Sequence, residues 1–309
     1  MSNFENTIFF KIIQNWMMEK SISPFKFQVQ TWQKFGSGYS GMVVAPTGFG
    51  KTFSVFLALI SDFLNHPENY KIGLKMIWIT PLRSLSKDIA KAMQEAIDEI
   101  GLDWAVGVRN GDTDPKVRQQ QVKNMPEILV ATPESLQLLL GQKNHQRFFK
   151  HLQTIVVDEW HELLGSKRGV LVELGISQLR KYVPKLKIWG ITATIGNLDE
   201  AMEVLIPYPI KKTKVTAKEH KKIEILPVFP DEVEILPWAG HLGQKLADKV
   251  VPIILQSKST IVFTNTRSQS EMWYQLLLNV HPDFAGYFHA PTASLHNSQN
   301  GHSPPSHLF

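Results

Sequence analysis

The most informative part of the sequence is residues 41–60, GMVVAPTGFGKTFSVFLALI. Its apolar, β-branched beginning predicts a buried strand over residues 41–45, and the apolar run at 53–60 predicts a helix. The turn between them contains Gly48 and Gly50, which allow the backbone to bend tightly and to aim its amides at one point. A strand, a glycine-rich turn and a helix in this order create an anion-binding concavity at the helix N-terminus.

The turn itself, APTGFGKT at residues 45–52, is typical of loops that hold a nucleoside triphosphate. Lys51 can reach the β- and γ-phosphates, and the hydroxyl of Thr52 can ligate Mg²⁺. Ala45 stands where this motif usually has its first glycine, so the match is to a variant of the pattern. We predict that the turn binds the nucleotide through Thr47, Gly48, Phe49, Gly50, Lys51 and Thr52.

Strand and helix patterns alternate along residues 25–206, which we assign to one domain. Short β-branched runs predict buried strands at residues 41–45, 75–80, 127–131, 154–158 and 187–192. Helical periodicity fills the segments between these strands, at residues 52–64, 84–100, 115–124, 134–140 and 170–182. The alternation predicts an α/β fold in which helices cover both faces of a parallel sheet.

The amino terminus and the composition narrow the class of protein. Residues 1–24 place apolar side chains at helical spacing and lack the basic head of a signal peptide. We predict an amphipathic helix packed on the domain, with a helix lying on a membrane surface as the alternative.

The absence of cysteine excludes disulfides and thiolate metal sites and favours a reducing compartment. We therefore expect a cytoplasmic protein that does not span a membrane.

The remainder of the chain predicts further organisation. Residues 207–222 combine prolines with a basic polar run and are interpreted as an interdomain linker. Residues 223–288 predict a partial second α/β domain, with strands at 223–229, 233–238 and 260–265 and helices at 241–256 and 267–280. Residues 289–309 are rich in Ser, His, Pro and Asn and have no Lys or Arg, which predicts an aberrant, disordered tail.

Two adjacent carboxylates follow the fourth predicted strand, in the segment TIVVDEWH. Like charges this close need a cation nearby, and in triphosphatases a strand-end aspartate holds the Mg²⁺ that bridges the phosphates. We therefore predict that Asp158 binds the metal and that Glu159 orients or deprotonates the attacking water. A solvated acidic turn is the alternative interpretation.

A histidine and two threonines complete this group of candidate residues. His161 follows the acidic pair, and the segment TAT, residues 192–194, ends the next predicted strand. We predict that His161 links the γ-phosphate site to the neighbouring domain. Thr192 and Thr194 are then placed to hydrogen-bond His161 or Glu159 and to relay the nucleotide state. A structural histidine and simple strand-end caps are the alternative roles.

Taken in order, these elements resemble superfamily 2 helicases of the DEXH-box type. Similarity to the large helicase-related family, and within it to the bacterial ligase-associated DEXH-box helicases, is carried by the segments DEWHELLGSKRG, WGITATIGN, PWAGHLG and VFTNTRSQSEMWYQ. The resemblance covers residues 20–288. It implies a RecA-like P-loop domain followed by an incomplete second RecA-like domain, with ATP between them and a nucleic-acid strand across their top. The implied activity is that of an ATP-dependent DNA helicase or translocase of the DNA-repair type.

The resemblance also implies roles for residues at matching positions. In the segment PFKFQ, Gln28 would read the adenine edge and Phe25 would stack nearby. The segments TPLRSL, NGDT and TPESL would grip the phosphates of the strand through Pro81, Arg83, Gly111, Asp112, Thr132, Pro133 and Ser135. The segment VFTNTR would contact the strand from the other side through Thr264, Asn265 and Arg267. Hydroxyls, backbone amides and an arginine suit phosphate contact without base reading.

The residues alone leave alternatives for these segments. Without the resemblance, each segment of the first domain is an ordinary strand-to-helix cap. The basic pair Lys167 and Arg168 is either solvated surface or a contact to the strand.

The resemblance further implies which partners the protein binds and how its length compares with that of family members. The partners are single-stranded or partly duplex nucleic acid, with DNA favoured, and a repair ligase or nuclease. Family members continue beyond the fourth helicase motif with segments that supply arginines to the γ-phosphate. Since the family pattern stops near Ala290, we hypothesise a truncated or frameshifted product that binds ATP, hydrolyses it poorly and holds nucleic acid weakly.

Two other classes of function stay open at this point. A P-loop kinase or a hydrolase of small nucleotides would use the same glycine turn. An inert fragment would keep only its affinity for nucleotide or nucleic acid.

Overall fold

The computed structural model describes residues 7–193, 195–207, 209–218, 223–229 and 246–286. The chain divides between residues 220 and 221 into two compact units. The first unit carries the sheet and the predicted nucleotide turn, and the second is smaller.

The described residues of the first unit form one parallel sheet of seven strands. The strands are β1 (Ser40–Val44), β2 (Met76–Ile79), β3 (Val106–Arg109), β4 (Ile128–Ala131), β5 (Thr154–Val157), β6 (Lys187–Thr192) and β7 (Lys212–Thr216). Their order across the sheet is β3-β4-β2-β5-β6-β1-β7. Only β6 separates β1 from β5, and all the strands are parallel. The loops that follow β1 and β5 therefore lie near each other at one edge of the sheet.

Helices cover both faces of this sheet. They are α1 (Ile8–Glu19), α2 (Lys26–Gly36), α3 (Lys51–Asn65), α4 (Arg83–Ile100), α5 (Pro115–Lys123), α6 (Pro133–Leu140), α7 (Gln146–Phe149), α8 (Trp160–Leu163), α9 (Lys167–Tyr182) and α10 (Leu198–Leu205). One apolar cluster joins the strands to α1, α2, α3 and α4. A second cluster joins the opposite face to α6, α7, α8, α9 and α10. The predicted α/β sandwich of helices around a parallel sheet is confirmed.

The first helix packs on the domain, as its apolar spacing predicts. Phe9, Ile13, Trp16 and Met17 of α1 are buried in the first apolar cluster. The indole Nε1 of Trp16 donates a 2.7 Å hydrogen bond to Glu99 on α4. None of the helices within the described ranges combines the length and the apolar character needed to cross a bilayer.

Two strands of the sheet were not predicted from the sequence. β3 has the sequence VGVR, and most of it is only half buried. β7, with the sequence KTKVT, lies inside the range 207–222 that was interpreted as a linker, so that interpretation is wrong for residues 212–216. Both are edge strands, which need few apolar residues because only one neighbour covers them. Val215 is the buried residue of β7.

Helices are the regular elements found among the described residues of the second unit. It contains α11 (Ala247–Gln256), α12 (Arg267–Val280) and a 3₁₀ turn at Pro282–Gly286, with a small core of Val251, Leu277 and Phe284. The strands predicted at 223–229 and 260–265 are not formed. A parallel strand needs a neighbour to pair its backbone, and no described residue pairs with either segment. The strand predicted at 233–238 and the tail at 289–309 lie outside the described residues.

Candidate functional site

The glycine turn presents the open end of a helix. Gly48 and Gly50 have φ angles of 87° and 68°, in the left-handed region that side chains disfavour. Gly50 caps the N-terminus of α3, and as a glycine it has no side chain to accept the first N–H groups of the helix. Thr47 and Gly48 are exposed at the tip of the turn, and Thr52 is half buried in the first turn of α3. The helix therefore offers backbone amides and a positive dipole end to an anion.

Lys51 places a buried positive charge beneath this turn. The residue is 7% exposed, and its Nζ atom has no hydrogen-bond partner among the described residues. Its nearest opposite charge is Oε1 of Glu159, at 3.5 Å. A buried ammonium group is costly unless acceptors surround it, so the site is suited to receive phosphate oxygens.

Asp158 follows β5 and is buried at the same edge of the sheet. Its Oδ1 atom accepts the backbone N–H of Glu159 at 3.0 Å, and its Oδ2 atom accepts the indole N–H of Trp78 at 3.3 Å. Burial, and then the charge of Glu159, raise the pKa of the Asp158 carboxyl from 3.8 to about 7. The ionised carboxylate is therefore unfavourable here without a cation.

Glu159 has a backbone conformation that is unusual for a residue with a side chain. Its φ of 45° and ψ of 50° lie in the left-handed region, where it caps the short helix α8. Strained residues of this kind concentrate at functional sites. The carboxylate lies between two groups: Oε1 faces Lys51 at 3.5 Å, and Oε2 faces Nδ1 of His161 at 3.5 Å.

His161 connects the acidic segment to the end of β6. Its Nδ1 atom lies 3.1 Å from Oγ1 of the fully buried Thr192, and its Nε2 atom lies 3.4 Å from Glu162. The structure thus brings together Lys51, Glu159, His161 and Thr192 in one continuous set of contacts. Thr194 lies outside the described residues. The coupling role of the histidine and the threonines stays a prediction.

The donor set suits Mg²⁺ held together with a phosphate. No described group of three or more His, Asp or Glu side chains could hold a metal ion on its own. Mg²⁺ is usually bound by one or two carboxylates, with phosphates and water completing its shell. The Asp158 carboxylate and the Thr52 hydroxyl are oxygen ligands of this kind, and a bound cation would favour the ionised form of the buried Asp158 carboxyl.

Gln28 and Phe25 border the turn on its other side. The Nε2 atom of Gln28 donates to the carbonyl of Gly50 at 3.0 Å, and its Oε1 atom accepts the backbone N–H of Phe25 at 2.9 Å. The half-exposed ring of Phe25 packs against Phe49, with 5.4 Å between ring centroids. The glutamine thus holds the turn, and its predicted contact with adenine is not tested by these bonds.

The loops predicted to grip nucleic acid meet on the surface. Arg83, at the start of α4, pairs with Asp112 at 3.3 Å, and both side chains are exposed. The Arg83 guanidinium packs against Gly111, where a Cβ atom would lie 2.6 Å from it, so a side chain at this position would displace the guanidinium. Pro81 is buried. The arginine remains accessible to an incoming phosphate because its one carboxylate partner is itself solvated.

The segment TPESL is placed less favourably for a direct contact. Thr132 is 1% exposed and Ser135 is 5% exposed, and the Thr132 hydroxyl donates to the Ser135 hydroxyl at 3.2 Å. Pro133 is buried at the first position of α6. In this conformation the two hydroxyls are engaged with each other below the surface, so their contact with phosphate stays a prediction.

Sequence reasoning missed how Arg168 ties these loops together. Its guanidinium donates to both carboxylate oxygens of Glu134, at 2.6 and 3.2 Å, and to the carbonyl of Pro81 at 2.6 Å. Three of its five N–H donors are therefore engaged within the protein, and a contact of this residue with the strand stays a prediction. The sequence carries no signal for this contact, because the partners lie 34 and 87 residues away.

The three candidate residues of the second unit surround the start of α12. Asn265 and Arg267 are exposed, and Thr264 is half buried. Thr264 donates to the carbonyl of Thr266, and Arg267 pairs with Glu271 along the helix at 3.3 Å. These contacts are those of a capped helix end, and the predicted contact with nucleic acid remains a prediction.

Comparison with known proteins matches this arrangement. A family model described as DEAD/DEAH box helicase matches residues 25–201. ATP-dependent helicase Lhr-Core protein 2 of Thermococcus barophilus is 30% identical over 275 residues, which are 84% of this chain and 32% of that protein. The Lhr helicase/uracil glycosylase of Escherichia coli is 28% identical over 85% of this chain and 19% of its own length. The chain thus spans about a third or less of the length of these relatives.

Solved structures show the same architecture. Mycobacterium smegmatis helicase Lhr, in a structure bound to ssDNA and AMP-PNP, superposes with a TM-score of 0.71. The sequence identity is 24%, and the match covers 92% of this chain and 37% of that one. The predicted fold class, a RecA-like domain within a partial helicase core, is confirmed by this match.

Proposed function

This chain belongs to the DEAD/DEAH box helicase family, and we propose that it couples ATP binding and hydrolysis to movement along single-stranded or partly duplex nucleic acid, with DNA favoured. The family predicted from the sequence is confirmed, and several relatives are named ATP-dependent helicases. One observation carries the proposal for this chain. At one edge of the sheet, the buried ammonium of Lys51 lies 3.5 Å from the carboxylate of Glu159, whose backbone N–H donates to the buried carboxylate of Asp158 at 3.0 Å.

The nucleotide-binding part of the proposal assigns each group a task. The turn amides and Lys51 hold the β- and γ-phosphates, and Thr52 and Asp158 hold Mg²⁺, which neutralises charge on the phosphates when bound. Glu159 orients the attacking water and accepts its proton. His161 and Thr192 pass the state of that carboxylate to β6. Gln28 and Phe25 receive the adenine.

The nucleic-acid part rests on the exposed loops around Arg83. The Arg83 guanidinium and the backbone of Gly111 face solvent, and phosphate contact of this kind needs no base reading. Two solved structures similar in fold, those of Mycobacterium smegmatis helicase Lhr and of helicase MrfA, hold ssDNA and DNA respectively. A role in DNA repair, a ligase or nuclease partner and a cytoplasmic location are the finer parts of the proposal, supported by the family resemblance and by the absence of cysteine.

We further propose that these 309 residues, as an isolated polypeptide, bind ATP well and hydrolyse it slowly. The relatives extend well beyond the part that this chain matches. In related hydrolases, an arginine supplied to the γ-phosphate from another segment is worth about 10³–10⁵ in turnover. Affinity for nucleic acid is expected to be low and sensitive to salt, because only part of the phosphate contacts is provided.

The test of the proposal is ATP turnover with and without single-stranded DNA, and with RNA of the same sequence. The wild-type chain and Lys51→Ala are compared, with exposed Lys91→Ala as the control. Stimulation by the strand that Lys51→Ala abolishes supports the proposal. Turnover that depends on Lys51 but ignores nucleic acid would favour a kinase or a small-nucleotide hydrolase. Identical turnover with and without Lys51 would favour an inert binding module.

A further inference from the structure

An indole contact links the strand β2 to the carboxylate of Asp158. Trp78 lies in β2, in register with Val156 of β5, and its side chain is fully buried. Its Nε1 atom donates to Oδ2 of Asp158 at 3.3 Å. The indole therefore reaches from β2 to the predicted metal ligand at the end of the neighbouring strand β5.

Two donors fix the orientation of this carboxylate. The backbone N–H of Glu159 binds Oδ1 at 3.0 Å, and the indole of Trp78 binds Oδ2. The first donor belongs to the next residue and moves with the loop. The indole belongs to a central strand of the sheet, so it holds the carboxylate to the rigid part of the domain.

Other tryptophans in the same apolar cluster show that such a bond is not required for burial. Trp32 and Trp189 are also fully buried in this cluster, and neither indole N–H has a partner among the described residues. Trp189 lies on β6, one strand beyond β5. The core thus accommodates an indole without a hydrogen bond, and the bond made by Trp78 is specific to the carboxylate that it reaches.

We propose that Trp78 is a positioning residue, whose indole N–H holds Asp158 in the orientation in which that carboxylate binds Mg²⁺ together with the triphosphate. The inference rests on the proposed function. It makes Trp78 a positioning residue and not a catalytic one, because the indole N–H is assigned to act through Asp158. Donors that orient metal-binding carboxylates and histidines typically contribute about 10–100-fold to metal affinity.

The test uses Trp78→Phe, which removes the N–H and keeps a buried aromatic ring. Trp189→Phe is the matched control, since it makes the same change in the same core at an indole without a partner. Binding of a fluorescent ATP analogue is measured in EDTA and over a series of Mg²⁺ concentrations. We expect the Mg²⁺ concentration for half-maximal enhancement to rise about 10-fold or more in Trp78→Phe and to stay unchanged in Trp189→Phe. Binding in EDTA should be the same in both variants.

The possible outcomes separate this inference from the proposed function. Equal Mg²⁺ dependence in wild type, Trp78→Phe and Trp189→Phe would overturn the role of Trp78 and leave the nucleotide site standing. Failure of the wild-type chain to bind the analogue more tightly with Mg²⁺ would overturn both. If Trp78→Phe fails to fold, 3-benzothienylalanine at position 78 keeps the shape of the indole and replaces its N–H by sulfur. The same rise in the Mg²⁺ concentration for half-maximal enhancement is expected for that variant, and wild-type behaviour would contradict the inference.

Discussion

The Nζ atom of Lys51 lies 3.5 Å from Oε1 of Glu159, although the two residues follow different strands, β1 and β5. The lysine is buried and the glutamate is about three-quarters buried, so this contact neutralises two charges at the base of the glycine turn. A triphosphate that enters the turn offers the ammonium a stronger anionic partner. On the proposed function, this exchange would free Glu159 to act on water, so that arrival of the nucleotide would make the base available.

Glu159→Gln should separate binding from hydrolysis. The amide keeps the shape of the side chain but cannot accept a proton from water, so turnover should fall about 10²–10⁴-fold. Affinity for ATP should be retained, because the lysine no longer has to leave a charged partner. Binding of a fluorescent analogue and single-turnover hydrolysis measure the two quantities separately.

The control for this substitution is Glu162→Gln. Glu162 is 65% exposed and contacts the other ring nitrogen of His161, at 3.4 Å. Glu162→Gln should leave turnover close to that of the wild type. An equal loss of turnover in both variants would show that Glu159 acts only through the local charge and not as the base.

The raised pKa of Asp158 predicts that the metal-free protein loses stability as pH rises. Burial and the charge of Glu159 move this pKa from 3.8 to about 7 on folding, so between these pH values the folded state holds a proton that the unfolded state has released. The free energy of unfolding should therefore fall across this window by up to about 1.4 kcal/mol per pH unit. Below pH about 4 and above pH about 7 this contribution should be flat.

Asp158→Asn isolates the contribution of this one group. Urea unfolding of wild type and variant is measured in EDTA across the same pH range. As pH increases, the free energy of unfolding of the wild type should fall relative to that of Asp158→Asn. Parallel curves would mean that the folded protein does not hold the Asp158 proton.

Arg83 and Arg168 should affect nucleic-acid binding in different ways. Arg83 is exposed and free to contact a phosphate, so Arg83→Ala should reduce the slope of log K against log salt by about 0.7 for a single strand. Three of the five N–H donors of Arg168 are engaged by Glu134 and Pro81, so Arg168→Ala should weaken binding mainly by loosening the loops and should change the slope little. Fluorescence anisotropy of a labelled oligonucleotide over a salt series measures both. A reduced slope for Arg168→Ala would instead assign it a direct phosphate contact.

Gly41→Ala tests the pairing of β1 with β7. A Cβ atom at this position would lie 2.7 Å from the carbonyl of Thr213 and 2.7 Å from the ring of Trp189. Overpacking of this kind should lower the free energy of unfolding by about 1–3 kcal/mol. Gly36→Ala is the control, since nothing lies within 4 Å of its Cβ position, and it should be neutral or slightly stabilising. Equal stability of the two variants, measured by urea unfolding, would argue that residues 212–216 do not pair with β1.

The sheet and the nucleotide turn could be predicted because their signals are local. β1 and β5 are buried along their whole length and rich in β-branched or apolar residues, and the residues that follow the strands of a parallel sheet gather at one edge. The order of the motifs Lys51, Asp158 and His161 was therefore sufficient to anticipate their proximity. The edge strand β7 escaped because its lysines resemble those of a solvated linker, and it is recognised only by its register with β1.

Contacts between distant residues could not be predicted in the same way. The bonds of Arg168 to Pro81 and of Trp78 to Asp158 depend on strand register and on the path of helix α9. The apolar segment at 260–265 shows the opposite error, since its composition favours a strand that the structure does not form. Ile261 and Phe263 are 75% and 89% exposed there, because no neighbouring strand covers them among the described residues.

The most direct test is equilibrium binding of a non-hydrolysable ATP analogue, with and without Mg²⁺, to wild type, Lys51→Ala and Asp158→Asn. Isothermal titration calorimetry gives the affinity in each case. We predict that Lys51→Ala weakens binding under both conditions, whereas Asp158→Asn removes only the gain in affinity that Mg²⁺ provides. Binding that is unchanged in both variants would contradict a metal-bound triphosphate held between the turn at Lys51 and the end of β5.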